Sequence, residues 1–233
     1  SPNIVFDDAN LEDAVNGAMF GIYFAQGQVC ASGSRLFVQE NIYDKFMDLF
    51  TSKVQSIRVG NPLEATTQMG PQVSAQQLKT IEKYVAIGLE EGAELVTGGQ
   101  RGKKNGYYFT PTIFGDVTNE MTIAREEIFG PVVSVIRFKD EEDALRQAND
   151  TIYGLASGIW TNDLKRAHRM ARGIQAGTVY VNTYSMLDST TPFGGMKQSG
   201  FGRELGVQAM DMYTHSKSVW IDLGEKGLNW YGG

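Results

Sequence analysis

The sequence feature that most constrains the fold is an alternation of apolar runs and amphipathic helical segments in the second half of the chain. Val132 to Phe138 is an apolar, largely β-branched run, which is typical of a strand buried on both faces of a sheet. Helical patterns at 141–149 and 164–174 alternate with strand-like runs at 156–160 and 178–181. This alternation predicts parallel βαβ units in a doubly wound, three-layer α/β/α fold with a mainly parallel sheet.

The first half of the chain extends the same pattern. Leu11 to Phe24 carries apolar residues at helical spacing, and Asp7, Asp8 and Asn10 before it are N-cap candidates. This helix is expected to end just before Cys30. Two more helices are predicted, at 42–57 and 75–91. Three more strands are predicted, at 35–39, 93–97 and 112–114.

The chain becomes irregular beyond Asn182. A helix at Glu204 to Tyr213 and a last strand at Ser218 to Leu223 are the only further elements that the pattern predicts. We therefore divide the chain into a main domain at residues 1–200 and a C-terminal helix and β arm at residues 201–233.

Composition narrows the classes of partner. The 233 residues carry a formal charge of -6, whereas a nucleic-acid or anionic-membrane surface needs clustered Lys and Arg. A single cysteine excludes an internal disulfide and favours a reducing, cytoplasmic location. No apolar run approaches the ~20 residues of a membrane span, and no cluster has metal-ligand spacing. We predict no nucleic-acid, membrane or metal partner.

The single cysteine, Cys30, lies in a segment of glycines and small polar residues between a helix and a strand. A thiolate at such a position can attack a carbonyl carbon, and the backbone N–H of Cys30 can donate to the resulting oxyanion. Its neighbours Val29 and Ala31 are small enough to let a substrate approach. The alternative is a small residue packed in a helix–strand corner.

Two further segments carry candidate chemistry. In Glu126 to Pro131, a carboxylate can accept hydrogen bonds from a vicinal diol, and Phe129 can lie against a flat ring; the alternative is surface charge and a core phenylalanine. Pro192 to Arg203 lacks the spacing of a dinucleotide fingerprint and fits a flexible loop that lines a pocket. His168 and His215 are interpreted as surface or packing residues.

Together these segments resemble the aldehyde dehydrogenase superfamily. Gly27 to Cys30 and Gly33 to Arg35 look like its cysteine signature, and Glu126 to Pro131 looks like its EEIFGP motif. Pro192 to Gly195 and Ser199 to Arg203 match its glycine loops. The resemblance covers essentially the whole chain and implies the catalytic domain and C-terminal arm of such an enzyme.

The resemblance also implies a mechanism. Cys30 would attack an aldehyde to give a thiohemiacetal, hydride would pass to NAD or NADP, and water would hydrolyse the resulting thioester to a carboxylic acid. Glu127 would hold the nicotinamide ribose and Phe129 would steady the ring. Leu187 and Phe193 would line the aldehyde tunnel, although many relatives carry an aromatic residue at the position of Leu187, so the aldehyde class does not carry over.

One departure from the family limits this mechanism. In the family, a preceding dinucleotide-binding domain holds most of the cofactor and supplies the glutamate that activates water, the oxyanion-hole asparagine and a cofactor lysine. The opening Ser1-Pro2-Asn3, which leads straight into a strand-like run, is interpreted as a cut from a longer polypeptide. We therefore predict that the isolated chain does not oxidise aldehydes, and NADH production by it would contradict this.

Three other functions stay open on sequence alone. An acylating relative would pass the acyl group from Cys30 to coenzyme A instead of to water. The sequence upstream of Ser1 would decide between this acylating reaction and the hydrolytic one. A structural or assembly protein could keep the fold without activity, and alkylation of Cys30 no faster than a free thiol peptide would favour it. A weak cysteine hydrolase would show slow esterase turnover that Cys30→Ala abolishes.

The predicted last strand indicates self-association. Val219, Ile221 and Leu223 alternate along Ser218 to Leu223 and would form an exposed apolar edge unless another strand covered it. In relatives such a strand adds to the sheet of a neighbouring subunit. We predict a homodimer or a larger homo-oligomer.

Overall fold

A computed structural model describes residues 1–102, 105–224 and 227, and its centre is a seven-stranded sheet in the order β3-β4-β5-β2-β1-β7-β8. Six of these strands are parallel, and the edge strand β3 pairs antiparallel with β4. A separate antiparallel pair joins β6 and β9. The strands are β1 (Pro2–Val5), β2 (Arg35–Gln39), β3 (Glu94–Thr97), β4 (Thr112–Gly115), β5 (Val132–Phe138), β6 (Tyr153–Gly154), β7 (Ala156–Trp160), β8 (Thr178–Val181) and β9 (Met196–Lys197).

Helices cover both faces of the sheet and give the predicted three layers. Helices α1 and α2 pack on one face, and α3 to α6 pack on the other, so each face has its own hydrophobic core. Side chains alternate along the central strands: Phe37 of β2 lies in one core, whereas its neighbours Leu36 and Val38 lie in the other. The helices are α1 (Leu11–Tyr23), α2 (Tyr43–Gln55), α3 (Ala75–Glu90), α4 (Thr122–Arg125), α5 (Glu141–Asn149), α6 (Leu164–Gly173) and α7 (Met210–Tyr213).

Side-chain caps fix the starts of several helices. The Oδ1 of Asn10 accepts hydrogen bonds from the first-turn N–H groups of α1, as the N-cap pattern predicts. Asp140 and Asp163 cap α5 and α6 in the same way. The predicted bounds of β2, β5, α5, β7 and β8 are confirmed, because buried strands and capped helices carry strong local signals.

The C-terminal part differs from the prediction. The helix predicted at Glu204 to Tyr213 is reduced to a 3₁₀ turn at Val207–Ala209 and the short α7. Leu205 and Gly206 have positive φ angles of 61° and 59°, which are incompatible with a right-handed helix, and Glu204 instead pairs with the backbone of Phe193. The short α4 and the β6–β9 pair were not predicted.

Residues 218–223, predicted as a strand, pair with no strand in the described part of the chain. Val219, Trp220, Ile221 and Leu223 are exposed. A strand forms only where a neighbouring strand satisfies its backbone groups, and none of the described residues supplies one. Of the predicted arm beyond residue 224, only residue 227 is described.

Asp8, which follows β1, joins β1 to the segment after β7 at the carboxyl-terminal edge of the sheet. Its carboxylate accepts hydrogen bonds from the Thr161 hydroxyl (2.8 Å) and from the backbone N–H groups of Asn162 (3.0 Å) and Asp163 (2.8 Å). The Arg166 guanidinium donates to the same carboxylate at 2.8 Å. Ligands of doubly wound sheets usually bind at this edge, but here, beside β1 and β7, the protein's own residues take up these hydrogen bonds.

Candidate active site

A cavity of about 250 Å³ lies at the opposite, amino-terminal edge of the parallel strands. Its walls come from segments that lead into five neighbouring strands, namely β1, β2, β5, β7 and β8. The helices that cross the sheet end here, so Ile22 of α1 and Asn149 of α5 also line it. Residues that carry candidate chemistry in the cavity are Val29, Cys30, Ser34, Arg35, Glu126, Glu127 and Phe129.

A strained turn delivers Cys30 to this cavity from the end of α1. Ala25, Gln26 and Gly27 all have positive φ angles, of 49°, 59° and 72°. A side chain at Gly27 would have its Cβ 2.1 Å from the carbonyl oxygen of Gly130, so only glycine fits. The turn therefore packs directly against the segment before β5 and leaves the Cys30 side chain exposed.

Backbone hydrogen bonds hold the residues on either side of the thiol. The N–H of Ser32 donates to the carbonyl of Val29 (3.0 Å), and the Tyr184 hydroxyl donates to the carbonyl of Ala31 (2.9 Å). Within the described residues, no group accepts a hydrogen bond from the Cys30 N–H. This N–H is free to donate to an oxyanion formed at the thiol.

The two adjacent glutamates before β5 have different surroundings. Glu126 accepts a hydrogen bond from the Tyr84 hydroxyl at 2.8 Å. Glu127 lines the cavity, and no group in ranges 1–102 and 105–224 donates a hydrogen bond to its carboxylate. Phe129 also lines the cavity with its ring 37% exposed, in a left-handed conformation with φ of 55°. A free carboxylate beside an exposed ring fits a ribose diol and a flat heterocycle.

Arg35, at the start of β2, is a site residue that the sequence analysis assigned only to a motif. It is 5% exposed, and its guanidinium donates to Asn119 Oδ1 and the Gln147 carbonyl, both at 2.8 Å, and to the Ala148 carbonyl at 3.2 Å. Burial lowers the pKa of Arg35 to about 10, and the Asp150 carboxylate opposes that shift. Arg35 remains charged at neutral pH and ties the start of β2 to the end of α5.

The structure brings together only part of the predicted site. Cys30, Val29, Glu127 and Phe129 line one cavity. Three predicted pocket residues do not line it. Ala31 is buried and its carbonyl accepts a hydrogen bond, Leu187 is 64% exposed, and Phe193 is partly buried against the core on the α1 and α2 face of the sheet.

The described part of the chain offers no histidine to the thiol. His168 is exposed on α6 and His215 is exposed beyond α7, and neither lines the cavity. A Cys–His pair, which activates the thiol of many cysteine hydrolases, is therefore not formed by these residues.

Neither a membrane-spanning helix nor a metal-ion cluster occurs among the described residues. None of the described helices combines the length and the apolar character that a membrane crossing requires. Residues 1–102, 105–224 and 227 contain no group of three His, Cys, Asp or Glu side chains arranged to hold a metal ion.

Comparison with known proteins gives consistent matches. Residues 1–219 match the model of the aldehyde dehydrogenase family. An aldehyde dehydrogenase of Emericella nidulans is 50% identical over 97% of this chain and 45% of its own length. A point mutant of Staphylococcus aureus betaine aldehyde dehydrogenase, solved with NAD+ and a BME-modified cysteine, is 41% identical with a TM-score of 0.97, covering 100% of this chain and 48% of that one.

An NAD+ complex of an aldehyde dehydrogenase from Bacillus cereus is 46% identical with a TM-score of 0.93, covering 96% of this chain and 46% of that chain. The chain thus spans about half the length of the curated relatives it matches.

Proposed function

The chain belongs to the aldehyde dehydrogenase family, and we propose that it forms the thiol-bearing part of an NAD(P)-dependent enzyme that oxidises an aldehyde to a carboxylic acid. One observation carries this proposal. An exposed thiol with a free backbone N–H shares a cavity with an unbound carboxylate and an exposed aromatic ring. This combination supports the pairing of a nucleophile with groups that suit a nicotinamide nucleoside.

In the proposed reaction, the Sγ of Cys30 attacks the aldehyde carbon and forms a thiohemiacetal. The N–H of Cys30 donates to the oxyanion, which lowers the energy of the tetrahedral species. Glu127 accepts hydrogen bonds from the ribose hydroxyls, and Phe129 lies against the ring. NAD or NADP, when bound, supplies the hydride acceptor, and Cys30 then carries the acyl group as a thioester.

We propose NAD-type cofactor binding because two of the solved relatives are NAD+ complexes. The residues that hold the rest of the cofactor are expected in the half of the relatives that this chain does not cover. The aldehyde is a small molecule that reaches Cys30 from the exposed side of its turn.

We also propose that this chain alone does not complete turnover. Hydrolysis of the thioester needs a base that activates water. In the described residues, the acidic side chains that line the cavity are Glu126, which is bound to Tyr84, and Glu127, which is assigned to the ribose. The described side chains that line the cavity include no third carboxylate that could act as that base.

Binding of nicotinamide mononucleotide tests the cofactor part of the proposal. We expect Glu127→Gln to weaken its binding about tenfold, because a neutral amide oxygen accepts weaker hydrogen bonds from the ribose hydroxyls than a carboxylate does. Titration followed by NMR chemical shifts measures the dissociation constant. Glu120→Gln is the matched control, since Glu120 is exposed and does not line the cavity, and it should change binding less than twofold. Equal effects of the two substitutions would contradict the assignment of Glu127.

We propose further that residues 218–223 bind a second copy of this chain, with residues 1–200 acting as the catalytic domain and 201–233 as the arm. The support is four exposed apolar side chains on an unpaired segment, namely Val219, Trp220, Ile221 and Leu223. Sedimentation is expected to show a dimer or larger assembly at micromolar concentration and a monomer after Val219→Lys and Ile221→Lys. A wild-type monomer would contradict this proposal.

A further inference from the structure

One stripe of helix α3 runs beside the turn at residues 126–130. Gln77, Ile81 and Tyr84 stand four and three positions apart on α3, so helical geometry places them on the same face. Each of them contacts a different part of the turn. We call these three residues the α3 stripe.

Gln77 holds the part of the turn with the left-handed backbone. Its Nε2 donates to the carbonyl oxygens of Ile128 (2.9 Å) and Phe129 (2.8 Å). The φ of 55° at Phe129 is a left-handed conformation that strains a bulky side chain and must be offset by surrounding contacts. One side-chain amide that binds two successive carbonyls supplies such contacts.

Ile81 and Tyr84 fix the two ends of the turn. Ile81 is fully buried, and its Cδ1 lies 2.5 Å from where a Cβ on Gly130 would stand, so it packs directly on the glycine backbone. The Tyr84 hydroxyl donates to Glu126 at 2.8 Å. Burial and this hydrogen bond raise the pKa of Tyr84 to about 12, so the hydroxyl keeps its proton at neutral pH.

Resting on the function proposed above, we infer that the α3 stripe positions Glu127 and Phe129 for the nicotinamide nucleoside. Of the side chains in the turn, Glu126 is bound by Tyr84 and Ile128 is buried in the core. All four side chains line the cavity beside Cys30, and Glu127 and Phe129 are the two that are neither bound by Tyr84 nor buried in the core. The hydrogen bonds and close packing of the stripe are with two backbone carbonyls, with Gly130 and with Glu126, so its members are positioning residues that act through the backbone and through Glu126.

Amide hydrogen exchange in the whole 233-residue chain tests this role. The N–H of Val132 donates to the Gly130 carbonyl and that of Thr112 to the Pro131 carbonyl, so both report opening of the turn. Gln77→Leu removes both hydrogen bonds of the side chain and is expected to speed exchange at these two amides about tenfold. Gln76→Leu, at an exposed neighbouring position of α3, is the matched control and should leave both rates unchanged.

Titration with nicotinamide mononucleotide separates positioning from the proposed function. Gln77→Leu is expected to weaken binding about tenfold and Tyr84→Phe about threefold, while Gln76→Leu has no effect. The inference would be overturned if Gln77→Leu left the exchange rates unchanged, or if it sped exchange but left the affinity for the mononucleotide unchanged. Either outcome would leave the expected effect of Glu127→Gln on binding untouched. If the wild-type chain binds no mononucleotide, the proposed cofactor contact fails, and the exchange rates alone support or overturn the positioning of the turn.

Discussion

Gly27→Ala is expected to lower the free energy of unfolding by about 3 kcal/mol or more and to displace the Cys30 turn. Gly27 has a φ of 72°, which an L side chain adopts only with strain. The added Cβ would also stand 2.1 Å from the Gly130 carbonyl oxygen and 2.9 Å from the Pro131 nitrogen. These are backbone atoms at the entrance to β5 and cannot move without opening the cavity, so strain and collision add. Urea unfolding measures the loss.

Gly92→Ala is the matched control for this substitution. Gly92 has a similar φ of 89°, but nothing lies within 4 Å of its ideal Cβ. Gly92→Ala should therefore lower the free energy of unfolding only by the strain of an L residue in left-handed backbone, about 1 kcal/mol. Equal losses at the two positions would show that the contact of Gly27 with Gly130 does not constrain the turn.

Acylation of Cys30 by p-nitrophenyl acetate is expected in the wild-type chain and absent in Cys30→Ala. The thiolate attacks the ester carbonyl, nitrophenolate leaves, and the acetyl group remains on Sγ as a thioester. The free N–H of Cys30 donates to the intermediate oxyanion, and such a donor changes rates about 10²–10³-fold. We therefore expect acylation about 100-fold faster than that of an unstructured cysteine peptide, while incubation with NAD and an aldehyde produces no NADH.

Alkylation by iodoacetamide is the control reaction for this experiment. It passes through no oxyanion, so the backbone donor gives it no advantage. The ratio of acylation to alkylation rates, compared with the same ratio for the peptide, isolates the contribution of the N–H. A ratio equal to that of the peptide would contradict the nucleophile assignment and favour a structural protein on this fold. Intact-mass measurements follow both reactions.

The sheet and its helices were largely predictable because their signals are local. The β-branched run of β5 requires burial on both faces, and the caps at Asn10 and Asp140 mark helix starts. The C-terminal segment was not predictable in the same way. Left-handed residues at 205–206 interrupt a helical pattern, and the segment at 218–223 needs a partner strand that the local sequence does not supply.

The candidate site was predictable only in part for the same reason. The order of motifs identified Cys30, Glu127 and Phe129, and they share a cavity because their segments precede β2 and β5, which are parallel neighbours. Gln77 and Tyr84 were missed because their contacts join residues 51 and 42 positions apart. The sequence does show that they share one face of a helix. That face indicates a role only once the turn at residues 126–130 is known to pack against it.

The position of β1 in the middle of the sheet has a consequence for synthesis on the ribosome. One edge of β1 pairs with β2 soon after it emerges, but the other edge pairs with β7, and the hydrogen bond from Trp160 to Asn3 joins residues 157 positions apart. About 120 residues separate β2 from the end of β7, which takes on the order of ten seconds to translate. For that time the nascent chain exposes an open strand edge that favours aggregation, so its folding yield should depend on how well this edge is shielded until residue 160 has emerged.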